Sequence, residues 1–77
     1  MKVIELLNTL SNVTLVEIVT SDYSRLEYAR IGEIRLHGYN GSARLYLHQD
    51  ILAANLFLAE TSPDEAEPAF QIVVGSV

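Results

Sequence analysis

With 77 residues, no cysteine and a net charge of −5, the chain has room for one domain only, and disulfides, thiolate metal sites and cysteine nucleophiles are excluded. Apolar residues make up 49% of it, too many for disorder as the general state. A domain this small buries only about 60% of the surface its unfolded chain exposes, so self-association is a natural source of extra stability.

Localisation and charge narrow the classes further. No apolar run approaches the roughly 20 residues of a membrane span. The N-terminus lacks a basic stretch followed by an unbroken apolar one, so no signal peptide is expected. The expectation is a cytoplasmic protein with no membrane partner. The sequons Asn12-Val13-Thr14 and Asn40-Gly41-Ser42 are then read as chance matches. Charge is unevenly placed. Between Tyr23 and Gln49 four arginines face Glu27 and Glu33, for a local charge of +2, while the remainder carries −7. An acidic chain repels phosphate, which argues against a general nucleic-acid binder.

In chain order, Val3, Leu6, Leu7 and Leu10 fall at helical spacing, and Lys2 to Leu10 reads as a short amphipathic helix ended by Ser11 and Asn12. Val13 to Thr20 is β-branched and reads as a strand, with Val16 and Ile18 on one face and Leu15, Glu17 and Val19 on the other. Ser21, Asp22 and Ser24 read as a turn. Arg25 to Ile31 fits either a strand or a helical turn.

Asn40-Gly41 is the strongest local signal, because both central positions of a type I′ turn need positive φ. Counting outward pairs Tyr39 with Ser42, His37 with Arg44, Leu36 with Leu45, Arg35 with Tyr46, Ile34 with Leu47 and Glu33 with His48. That register puts Ile34, Leu36, Leu45 and Leu47 on one face. Arg35, His37, Tyr39, Arg44 and Tyr46 fall on the other, and a one-residue slip destroys the separation.

From Gln49 to Glu60 periodicity does not arbitrate. The expectation is a brief helical or irregular turn at Asp50 to Ala54 and a strand from Asn55 to Glu60. Thr61 to Pro68 reads as an exposed acidic loop and Ala69 to Val74 as a closing strand. The fold class is therefore α+β: a short N-terminal helix packed on a small, mainly antiparallel β-sheet, in a single domain over 1–77.

The opening Met1-Lys2-Val3-Ile4-Glu5-Leu6-Leu7, followed by a Val-Glu-Ile strand at Val16 to Ile18 and two closing strands at Asn55 to Glu60 and Ala69 to Val74, resembles small uncharacterised proteins of bacteriophage and prophage genomes. The resemblance is one of architecture and brings no active site with it. It implies an accessory or regulatory protein of that type.

Catalysis and metal binding find little support in the residues. In the hairpin register His37 and His48 lie on the order of 13 Å apart, too far to share a metal whose bonds to nitrogen are about 2 Å. No nucleophile elbow, phosphate-cradling loop or calcium-loop spacing occurs. No enzyme activity and no cofactor are expected. What remains is the Arg35, His37, Tyr39, Arg44 and Tyr46 face, rich in the residue types of binding hot spots, with Arg35 set to stack on Tyr46. The expected function is a non-enzymatic protein-binding module docking through this face or an open sheet edge on an unknown protein. The alternative is a nucleic-acid accessory protein using Arg25, Arg30, Arg35 and Arg44 with Tyr39 and Tyr46 as stacking groups. The final strand is apolar on both faces, with Phe70, Ile72 and Val74 on one side and Val73 on the other. A homodimer with that strand at or beside the interface is expected.

Overall fold

The fold is taken from a computed structural model, which describes residues 1–36 and 43–75, and for Ala43 and Arg44 the backbone alone. It is a small α+β domain whose elements run α1 (Val3–Leu7), β1 (Leu15–Val19), β2 (Arg25–Arg30), α2 (Ile31–Leu36), α3 (Ala43–Tyr46), β3 (Ile51–Ser62) and β4 (Glu65–Val74). The strands form one sheet in the order β2-β1-β4-β3. Two neighbouring pairs are antiparallel, and the central pair β1–β4 is parallel.

The N-terminal helix forms as its apolar spacing predicts, with Val3 and Leu7 buried. Its start is held by Glu5, whose carboxylate accepts the Lys2 backbone N–H at 2.8 Å, half of a capping box. It stops at Leu7, short of the expected Leu10, with Asn8 as its C-cap, and a separate turn follows in which Thr14 N–H donates to the Ser11 carbonyl at 3.0 Å. β1 follows as expected, and its alternation divides the molecule. Val16 and Ile18 join Val3, Leu7, Ile31, Ile34, Tyr46, Leu47, Ile72 and Val74 in the main core between sheet and helices. Leu15 lies on the opposite face, in a smaller cluster with Ala59, Ala69 and Phe57.

The Asn-Gly hairpin is overturned on both of its arms. Ile31–Leu36 and Ala43–Tyr46 are helical, and Asn40-Gly41 itself lies outside the described residues. The alternation of Ile34 and Leu36 suggested a strand. In the fold Ile31 and Ile34, three apart, form the buried face of α2, while Leu36 is exposed. Gly32 fixes where that helix starts: its N–H donates to the Asn12 carbonyl at 2.8 Å, and a Cβ there would stand 3.1 Å from that same oxygen. Arg25 to Ile31, left open between strand and helix, resolves into β2 with Ile31 opening α2.

The C-terminal half is more regular than its sequence suggests. No helical turn interrupts Asp50 to Ala54, because β3 runs unbroken from Ile51 to Ser62. The acidic loop is likewise absent: Ser62 pairs with Glu65, leaving Pro63 and Asp64 as a two-residue turn. Pro63 presets the φ a turn needs at its first central position. Pro68 sits inside β4, yet β1 pairs only with Ala69–Val73, so its missing N–H falls outside that ladder. The last two strands pair antiparallel, in keeping with a mainly antiparallel sheet. β4 is nevertheless an inner strand, flanked by β1 and β3, and the expected open edge at the C-terminal strand does not exist.

Candidate functional site

Of the five residues expected to share a sheet face, the two whose side chains are described, Arg35 and Tyr46, lie on separate helices, α2 and α3. Arg35 closes the helix layer from within: it donates to the Asn12 side chain, to the Leu7 carbonyl at 2.7 Å and to the Leu10 carbonyl at 3.4 Å. The guanidinium thereby ties α2 to the last carbonyl of α1 and to the segment that follows it. Tyr46 is fully buried, and its hydroxyl donates to Glu27 Oε2 at 3.3 Å. No Arg35–Tyr46 stack across a hairpin forms, because the hairpin register that paired them is gone. His37 and Tyr39 lie outside the described residues, as does the Arg44 side chain. His48 is exposed between α3 and β3. Among the described residues no three His, Cys, Asp or Glu side chains stand close enough to hold a metal ion.

Arg25 and Arg30, two more arginines of the nucleic-acid alternative, are engaged elsewhere. On the face of the sheet away from the helices, Arg25 Nε and Nη2 donate to Glu17 Oε2 at 2.9 and 2.6 Å, and Gln71 donates to Glu17 Oε1 at 2.9 Å. The Gln71 side chain, followed by Arg25, holds the Glu17 carboxyl below its ordinary pKa. Arg30 pairs with Glu67 and donates to the Val13 carbonyl at 2.7 Å. A cation–π contact does occur, with Arg25 4.6 Å from the centroid of the Tyr28 ring. This network ties β2, β1 and β4 together across the open face.

The surface that stands out instead is β3. Its inner side pairs with β4, and its place at the end of the strand order leaves the other side as a sheet edge. The start of that edge is sealed, since Ile51 N–H donates to the Met1 carbonyl at 2.9 Å and Val3 N–H to the Gln49 carbonyl at 3.1 Å. The register places Leu56 opposite Phe70 and Ala54 opposite Ile72, on the face that the helices cover farther in. The helix layer does not extend over β3: Leu52, Leu56 and Leu58 are 62%, 66% and 71% exposed. Ile51 to Ala59 contains no charge. A long, apolar, uncharged edge strand is the geometry from which added strands are built.

The strand expected over Asn55 to Glu60 contains Leu56 and Leu58, but the sequence left their surroundings open. The usable signal was an uncharged run too long for a simple turn and flanked by acids. The chain matches no protein-family model, no curated protein and no solved structure. Among the described residues no helix is long and apolar enough to cross a membrane.

Proposed function

We propose that this chain is a non-enzymatic protein-docking module, an accessory protein that binds through the outer edge of β3 and the leucine surface beside it. The observation that carries the reading is the pairing of an open backbone edge with Leu56 and Leu58, both largely exposed on an uncharged strand. Backbone N–H and C=O groups along such an edge supply affinity to an extended segment, and alternate side chains supply specificity. Isolated exposed leucines are ordinary, but leucines aligned along an open edge form a contiguous apolar patch.

The test compares proteins captured from the native cell by the tagged chain and by a Leu56→Lys, Leu58→Lys variant. Both positions are exposed, so the variant is expected to keep its circular dichroism spectrum. The expected result is a specific set of captured proteins that the variant loses. The same set captured equally well by both chains overturns the reading.

A further inference from the structure

We propose that the occupant of the β3 edge is a second copy of this chain, its own β3 added antiparallel across a twofold axis at Phe57. The inference rests on the docking reading above and names the partner of that same surface.

The available length of edge sets the register. Met1–Val3 already occupies the edge at Gln49–Ile51 through the two backbone hydrogen bonds described above, and the turn begins after Ser62. Leu52–Ser62 is left, and its midpoint is Phe57. An antiparallel twofold pairing that uses the whole stretch puts Phe57 opposite Phe57 of the second copy. Leu56 then faces Leu58 of the second copy, Leu58 faces its Leu56, and Ala54 faces its Glu60.

Symmetry makes the strand complementary to itself. In any twofold antiparallel pairing the positions of the two opposed residues sum to an even number, so both lie on the same face of the sheet. The leucines of the two copies therefore lie on one face in any such register, and in the Phe57-centred one Leu56 and Leu58 meet at cross-strand separations of about 4.5–5.5 Å. Each leucine side chain that water now surrounds gains an apolar neighbour. No charged pair is forced together across the axis, because Glu60 is the single charged residue of β3.

Charge selects the direction. Glu60, Asp64 and Glu65 cluster at the turn end of β3. Lys2 stands at its other end, bridged to Asp50 on the outer side, with its ammonium 3.0 Å from the Asp50 carboxylate and half exposed. Antiparallel addition carries the acidic end of each copy to the charge-balanced Lys2–Asp50 end of the other and keeps the two acidic ends apart. Parallel addition stacks the acidic ends on each other.

Sedimentation equilibrium of the full chain at high micromolar concentration is expected to give the dimer mass. The Leu56→Lys, Leu58→Lys variant is expected to give the monomer mass with its circular dichroism spectrum retained. The absence of cysteine allows a direct check of the register, because Leu56→Cys and Leu58→Cys each carry the molecule's one thiol. Opposed positions meet the Cα spacing a disulfide needs. An oxidised equimolar mixture of the two variants is therefore expected to give several-fold more covalent dimer than either alone. A monomer mass for the unaltered chain, a dimer that survives the double lysine change, or equal cross-linking by each variant alone overturns the proposal. The monomer result leaves the docking reading standing, since that reading fails only if the captured proteins are indifferent to the lysines.

Discussion

Along β2, at one side of the sheet, Arg25, Glu27 and Arg30 put three charges into six residues, whereas β3 at the other side carries one charge in twelve. β2 is short, its pairing with β1 slips by a bulge between Ile18 and Val19, and α2 starts at the residue after it ends. Charge, brevity and bulges are the usual means by which an edge is kept from pairing with other chains. β3 has two register shifts of its own, near Ile51 and near Ser62, but the eight residues between them are regular. The difference teaches that a sheet this small can guard one edge with charge and side-chain contacts while the other stays apolar and uncharged over most of its length.

If that contrast is right, changes on the β2 side alter folding and changes on β3 alter assembly. The largest effect is expected at Tyr46, which packs in the core and reaches Glu27 on β2. Tyr46→Ala is expected to cost about 3–5 kcal/mol, as for other large-to-small core changes, and to leave the chain largely unfolded by thermal circular dichroism. A variant that melts within a few degrees of the original would mean that α3 is dispensable to the core.

A smaller effect of opposite sign is expected in the β1–β2 turn. Thr20 accepts the Tyr23 N–H at 2.8 Å and donates its own N–H to the Ser24 carbonyl at 2.9 Å, and Tyr23 sits at φ 64° with its ring exposed. This is the left-handed position that favours glycine, in the three-residue loop that commonly ends with such a residue. Tyr23→Gly is expected to stabilise the domain by about 1 kcal/mol, a rise in Tm of roughly 4–8 °C. A fall in Tm would mean that the tyrosine ring makes a contact worth more than the strain.

The smallest effect concerns acid. The Glu17 carboxyl is held below its ordinary pKa, first by the Gln71 side chain and then by Arg25. Its contribution to stability is therefore complete above the ordinary glutamate pKa and is lost as pH falls through the depressed one. The Tm is expected to decline between about pH 5 and pH 3, and Glu17→Gln is expected to flatten that decline. An identical pH profile for the variant would show that the link between β2, β1 and β4 carries no net free energy.

Legibility in the sequence followed the source of each element's order. β1 and the Ala69 to Val74 part of β4 were readable because they are short β-branched runs buried on both faces of the sheet, Val16, Ile18, Ile72 and Val74 against the helices and Leu15, Val19, Ala69 and Val73 on the other side. The short N-terminal helix was readable from its local apolar spacing, with Val3 and Leu7 on its buried side. Asn40-Gly41 misled because turn chemistry is local, whereas Ile34, Tyr46 and Leu47 are placed by the core they share. Their spacing satisfies a strand and a short helix alike, and the tertiary contact decides. Arg35 and Tyr46 were chosen as exposed binding residues and are spent inside the fold, on carbonyls and on Glu27. The β3 edge was legible only as an ambiguity, since an uncharged run of leucine and alanine serves helix and strand equally well until its partner strand is known.

The parallel pairing of β1 with β4 has a consequence for how the molecule is made. Leu15 must find Ala69, roughly fifty residues later in the chain, and Val19 must find Val73. Local contacts cannot assemble the centre of this sheet, so its folding is governed by a high contact order and a long loop closure. During synthesis α1, β1 and β2 emerge first, with the apolar side chains of β1 unable to reach their final neighbours. The nascent chain therefore stays exposed to misassembly until β4 has left the ribosome, and removing Ala69–Val74 is expected to cost the whole domain rather than one strand of it.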